Sequence, residues 1–156
     1  MIRRLKRSDI DLITNFAKRT KKFRKKEIKE LKNSLEYAFK NEGEYYKAKC
    51  YVENGSVKGV VVYGETYLTT ATYDIYWIIV DPYEQGRGIG SRLLKHAEKK
   101  IIERGAKIII LNTSSKKSYR AVRKFYEHRG YKIEARIKNY YRKRDDLLIY
   151  VKRIKN

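Results

Sequence analysis

Between Gln85 and Gly90 the chain reads QGRGIG, three glycines alternating with Arg87 and Ile89. Glycines in such a run let successive backbone amides converge on one anion. If a helix begins there, its unpaired first-turn N–H groups and its dipole add to the attraction. Arg87 would contribute a charge-assisted contact to a phosphate. The expected chemistry is the holding of a nucleotide diphosphate, with a plain surface turn as the alternative. Two other phosphate binders fail on spacing. A Walker loop needs Lys before its Ser or Thr, and here Gly90 precedes Ser91. A dinucleotide fingerprint needs G-x-G-x-x-G, usually in the first strand-helix unit, whereas this chain has G-x-G-x-G in mid-sequence.

Such a turn works only if a strand and a helix hold it. Thr72 to Asp81, TYDIYWIIVD, is rich in aromatic and β-branched residues and stops at Pro82, which predicts a central strand apolar on both faces. Gly88 to Arg104 predicts an amphipathic helix with Ile89, Leu93, Ala97 and Ile101 on one stripe, stopped by Gly105. Ahead of them come a short edge strand at Met1 to Leu5 and a helix capped by Ser8 with Asp11, bearing the stripe Ile10, Ile13, Phe16 and Ala17. Lys18 to Lys26, KRTKKFRKK, reads as a loop. A second helix with Ile28, Leu31, Leu35 and Phe39 inward is expected to end near Gly43. Tyr45 to Val52 and Val57 to Tyr63 flank Asn54-Gly55, the pair that fills the left-handed positions of a tight hairpin. Later, Ala106 to Leu111 predicts a buried strand, and Lys117 to Arg129 a helix with Val122, Phe125 and Tyr126 inward. Tyr131 to Ile137 and Leu147 to Ile154 predict two strands around a polar loop, KNYYRKRDD. The order implies one α/β domain over 1–156, a mixed sheet with helices on both faces.

Composition narrows the function classes. The chain has 156 residues, 42% of them apolar and arranged in short periodic clusters, which suits one folded core. No stretch approaches the roughly 20 apolar residues needed to cross a bilayer, and the N-terminus lacks the apolar region of a secretion signal. A cytoplasmic protein without membrane partners is expected. Cys50 is the only cysteine, so an internal disulfide and a cysteine-rich zinc site are excluded; it reads as a small core residue. His96, among Lys95, Glu98 and Lys99, reads as solvent-facing, and with His128 it makes no metal site. Lys and Arg number 39 against 18 Asp and Glu, a formal net charge of +21 whose field attracts polyanions. A nucleic-acid partner and a habit of composition both fit that charge.

Three motifs, in order, resemble the GNAT family of N-acetyltransferases. IIVDPYEQGRGIGSRLL is similar to the family's cofactor motif: Gln or Arg, two residues, Gly, one residue, then Gly or Ala. Gln85, Gly88 and Gly90 match it, behind the lead-in Asp81-Pro82. Phe125-Tyr126 followed by Gly130-Tyr131 resembles the next helix and turn. RIKNYYRKRDDLLIYVKRI is similar to the final hairpin of small members, among them ribosomal-protein N-terminal acetyltransferases. The likeness spans Thr72 to Ile154. It implies a three-layer fold around a central, mostly antiparallel, twisted sheet of about seven strands, with acetyl-CoA as co-substrate and no metal.

The resemblance also implies roles. The family transfers its acyl group by direct attack of an amine in a ternary complex. The cofactor's arm lies between two splayed strands, here Asp74 to Val80 and Lys107 to Leu111. Backbone groups of Ile78 and Val80 would bind the arm and the acetyl carbonyl. Gln85, Gly86, Arg87, Gly88, Ile89, Gly90 and Ser91 would hold the diphosphate. Tyr126 matches the tyrosine that protonates the departing thiolate, and a phenol of ordinary pKa near 10 suits that task. Asp74 stands where relatives place a glutamate base. Strict alternation puts it on the face of Tyr76, Ile78 and Val80, opposite Trp77. Tyr119 replaces the family's arm-contacting asparagine, and Asn112 lies where close relatives tend to carry a glutamate. The loops at 18–26 and 138–144 would border the acceptor side, and both are basic. They point to an anionic acceptor, or one presented beside nucleic acid, as ribosome-associated proteins are. A nucleic-acid-binding module that keeps the fold with little activity is the competing reading. Monomer and homodimer both remain open.

Overall fold

The computed structural model describes residues 1–41 and 45–155. Seven strands form one sheet in the order β1-β2-β3-β4-β5-β7-β6: β1 (Ile2–Arg4), β2 (Lys47–Glu53), β3 (Ser56–Glu65), β4 (Thr72–Val80), β5 (Ile108–Ser114), β6 (Lys132–Arg142) and β7 (Asp145–Arg153). Only β4 and β5 run parallel. They are joined through a helix, α3 (Ile89–Glu103), the crossover that parallel neighbours need. The hairpin at Asn54-Gly55 forms as its residues demand, with φ of 51° and 75°.

The sheet separates two cores. On one face α1 (Arg7–Thr20) and α2 (Lys25–Lys40) bury Ile13, Phe16, Leu31 and Leu35 against Val60, Val62 and Ile79. On the other, α3 and α4 (Arg120–Glu127) cover Val61, Tyr63, Ile75, Ile109 and Tyr150. The predicted three layers are therefore present. Among the described residues no helix is long and apolar enough to cross a membrane.

Several boundaries move. α1 is capped by Asp9, whose carboxylate accepts the Lys6 amide at 2.7 Å and a two-pronged contact from Arg3; Ser8 and Asp11 do not form the cap. α1 continues to Thr20, which shortens the expected 18–26 loop to four residues, 21–24. α2 ends at Lys40, and the expected stop at Gly43 lies outside the described residues. β5 runs on to Ser114, so Asn112 sits inside a strand. The polar segment 138–144 is largely strand as well. β6 extends to Arg142 through a bulge, and the Asn139 amide donates to Asp146 Oδ1 at 2.8 Å. His96 is not solvent-facing, since its Nε2 is buried and without a partner.

Candidate active site

β4 carries the feature that creates the site. Its pairing with β3 slips between Val62 and Tyr63, where Val62 faces Trp77 and Tyr63 faces Ile75, leaving Tyr76 as the extra residue of a bulge. A bulge reverses the side-chain phase beyond it. Tyr73 and Ile75 belong to the α3 side, and so do Ile78 and Val80; Trp77 and Ile79 belong to the α1–α2 side. Asp74 therefore shares a face with Trp77, and not with Ile78 and Val80 as strict alternation predicts. It accepts a hydrogen bond from Thr66 Oγ1 at 2.5 Å. Burial pushes its carboxyl above the ordinary range, a rise the Thr66 bond partly offsets.

Beyond the bulge β4 and β5 part. Their register holds only from Thr72↔Ile108 to Asp74↔Ile110. Past that point the β5-facing edge of β4 has no ladder partner, and a cleft of about 560 Å³ opens between the strands. Ile78, Val80, Gln85, Tyr119 and Tyr126 line it, as does Asn112 from β5. Asp74 is not among the described residues that line it.

At the donor end, Asp81 caps a 3₁₀ turn, Pro82–Glu84, by accepting the Tyr83 amide at 3.1 Å. Gly86 and Gly88 follow with φ of 81° and 78°, and Gly88 is the N-cap of α3. A Cβ built at either would meet no atom within 4 Å, so the turn presents bare backbone to an open cradle. The first intrahelical bond runs from the Arg92 amide to the Gly88 carbonyl, which leaves the amides of Ile89, Gly90 and Ser91 without acceptors inside the helix. That set fits a diphosphate. Gly90 differs: its φ is ordinary, and its Cβ would touch Phe125 at 3.6 Å.

Two cations stand beside this turn. Arg87 is tied to Glu84 and, at 2.9 Å, to Glu53. Arg129, from just past α4, lies flat on Phe125, 3.7 Å from its centroid, and donates to Ser91 Oγ and the Phe125 carbonyl. Its only sequence signal is the four-residue spacing from Phe125, and the contact with Ser91 spans 38 positions.

Tyr126 packs against Tyr131 and Tyr150 and lines the cleft, with no protein hydrogen-bond partner for its hydroxyl among the described residues. Burial pushes its pKa up to about 12. Tyr119 crosses the cleft mouth: its hydroxyl reaches the Lys22 carbonyl at 3.4 Å.

The opposite end of the cleft is lined by Phe23, Trp77, Tyr76 and Tyr141 together with Glu27, Glu30 and Asp145. Some of the basic residues here are paired locally, while Lys21 and Lys22, which also line the cleft, have no ion pair among the described residues. Arg24 pairs with Glu27 at 3.1 Å, and Asp145 lies between Arg142 at 3.6 Å and Lys116 at 3.9 Å while accepting from Ser114 Oγ. Among the described residues no cluster of His, Cys, Asp and Glu is arranged to hold a metal ion.

Comparison with known proteins agrees with this geometry. A family model described as an acetyltransferase (GNAT) domain matches residues 42–133, more than half of the chain. No curated protein matches the sequence. A solved GNAT-family protein from Desulfovibrio desulfuricans is 29% identical, with a TM-score of 0.94 over 99% of both chains. The ribosomal-protein-S18-alanine N-acetyltransferase of Escherichia coli is 23% identical, with a TM-score of 0.79 over 100% of this chain and 94% of its own. An aminoglycoside 6'-N-acetyltransferase complexed with coenzyme A is 17% identical, with a TM-score of 0.77 over 100% and 98%. With its glycine turn, parted strands and matching domain model, this chain belongs to the GNAT acetyltransferase family.

Proposed function

We propose that the protein transfers an acetyl group from acetyl-CoA to a primary amine by direct attack, and that the amine enters through the aromatic mouth at the acceptor end. The observation that carries this reading is the cleft between β4 and β5, which reaches Gln85 at the start of the bare glycine turn, is lined by Tyr126, and brings Glu27, Glu30 and Asp145 to its other end. Acetyl-CoA supplies the acyl group as an activated thioester. The chain's own residues do the rest.

The amides of Ile89, Gly90 and Ser91, with Gly86 and Gly88 giving access, hold the diphosphate, and Arg129 is the cation at hand. Gln85 closes the turn, and the Arg87 side chain serves the turn's own structure through Glu84 and Glu53. Backbone groups of Ile78 and Val80 on the open edge of β4 bind the arm and the acyl carbonyl, and Tyr119 borders them. The amine nitrogen forms its bond to the acyl carbon as the carbon–sulfur bond breaks. Tyr126 gives its hydroxyl proton to the sulfur, the attacking amine, neutral at that point, releases one N–H proton to solvent as the amide forms, and solvent returns a proton to Tyr126. A pKa pushed up to about 12 keeps that proton in place across the neutral and mildly alkaline range. Asp74 stands behind Tyr76 and is tied to Thr66, which supports a positioning role for it and not that of a direct base.

Charge supports an acceptor amine carried by an anionic body. Arg24, Lys116 and Arg142 in the mouth are paired with Glu27 and Asp145, and Glu30 adds a carboxylate, which lowers the repulsion an ammonium group meets there. Lys21 and Lys22 at the cleft wall, and Lys25, Lys26, Lys138, Lys143 and Arg144 around it, have no ion pair among the described residues. A protein N-terminus presented beside RNA, as on a ribosome, meets both conditions. The test is to incubate the protein and acetyl-CoA with ribosomal extracts, a peptide panel and small amines, and to read acetylated products by mass spectrometry. Acetylated protein termini are expected, with binding to the ribosomal fraction that weakens steeply with salt. Products confined to small amines would overturn the acceptor assignment. No acetylated product in any arm would overturn the transferase reading.

A further inference from the structure

A second cavity, of about 350 Å³, opens at the opposite end of α3 from the glycine turn. α3 has 15 residues, which at 1.5 Å each separates the two by about 22 Å. No described residue lines both cavities. Five side chains of this one are cationic: Arg4, Lys47, Lys49, Lys100 and Arg104, with Tyr63 beside them. Among the described lining residues there is no carboxylate.

The cations are arranged at a cost to the fold. Arg4 stands directly opposite Lys49 in the β1–β2 ladder, and like charges in that position repel. Lys47 lies two residues from Lys49 and so on the same face of β2. Lys100 and Arg104 are four apart on α3, a second like-charge pair. The C-terminal dipole of α3 offsets part of the second repulsion and none of the first. Burial, then Arg4 and Lys100, push the Lys49 amine below its ordinary range. Lys100 has Glu103 at 3.3 Å, whereas Arg4, Lys49 and Arg104 have no ion pair among the described residues. Packing of a helix on a sheet does not require three such cations to converge from β1, β2 and α3. A bound anion does.

We infer that this cavity is a binding site for a phosphate-bearing anion, held by Arg4, Lys49 and Arg104 and distinct from the acyl-donor cleft. Its size falls in the ~300–1,000 Å³ range of small-molecule sites. A free diphosphate and the phosphate of an RNA backbone offer the same chemistry.

The test uses the full chain saturated with coenzyme A, so that the first cleft is filled. Inorganic pyrophosphate and a short single-stranded RNA are titrated separately by calorimetry. The variants are Lys49→Ala/Arg104→Ala and, as a control of equal charge, Lys124→Ala/Lys132→Ala. Pyrophosphate is expected to bind the native chain and raise its Tm. Binding should weaken by about tenfold or more in Lys49→Ala/Arg104→Ala and by no more than about twofold in the control. Retained coenzyme A affinity shows that the variant is folded. In anion-free buffer of low salt it should melt above the native chain, because the repulsion is relieved. RNA binding that is lost in the same variant and exceeds that of pyrophosphate identifies a polymer as the phosphate's source. Pyrophosphate binding alone identifies a free anion. Binding of neither, or an equal loss in the control, overturns the site.

Discussion

The two ends of the cleft are built by opposite means. The donor end is bare backbone: glycines with positive φ, an open cradle and the first amides of a long helix, with side chains serving as supports. The end proposed for the acceptor is almost all side chain, with aromatics from the α1–α2 loop, β4 and the β6–β7 hairpin and acids that pair with some of the nearby bases. Backbone recognition is insensitive to which side chains surround it, so it suits a constant donor. A wall of side chains can be changed residue by residue, so it suits an acceptor that differs between relatives. The comparison predicts that damage at the two ends separates cleanly in kinetics.

The largest effect belongs to the residue between the ends. Tyr126→Phe should fold normally, retain coenzyme A affinity and lose about 10²- to 10³-fold in kcat. Unchanged turnover would remove Tyr126 from the chemistry. Next comes the donor turn. Gly88→Ala places a side chain at φ 78°, costing roughly 1–2 kcal/mol, and should weaken coenzyme A binding by about tenfold. Gly90→Ala, whose Cβ meets Phe125 at an ordinary 3.6 Å, should be tolerated. Equal losses at both glycines would argue against a backbone cradle.

At the acceptor end, Glu27→Gln should raise the acceptor KM by a factor of about two to five, as a partly exposed charge contributes. The acetyl-CoA KM should stay unchanged; a shift in it would blur the division between the ends. The smallest effect is expected at Asp74. Its carboxyl is raised by burial, so the folded state holds the proton more tightly than the unfolded chain does. The stability it contributes is full below the ordinary carboxylate range and is lost as pH rises through the raised value. Asp74→Asn should therefore raise Tm slightly at neutral pH and flatten its acid dependence. If it also shifts the pH profile of kcat, Asp74 acts on the amine as well as on Tyr76.

Much of this was legible in the chain because it is local. QGRGIG closes its own turn within six residues, Asn54-Gly55 sets its own hairpin, and the stripes of α1, α2 and α3 follow from 3.6-residue spacing. These features depend on backbone geometry and on neighbours a few positions away, which sequence order supplies directly. Local reading failed at Asp74, because a bulge formed against β3 reverses the phase of β4 and no residue of β4 announces it. It failed also for charge. Arg4, Lys49 and Arg104, scattered over 100 positions among 39 basic residues, converge on one cavity. By itself the sequence determined which donor the protein grips, since a backbone turn is specified by adjacent residues. Only the tertiary structure decided which cations distant in sequence share a cavity, because that depends on distance in space and the sheet sets it without regard to chain order.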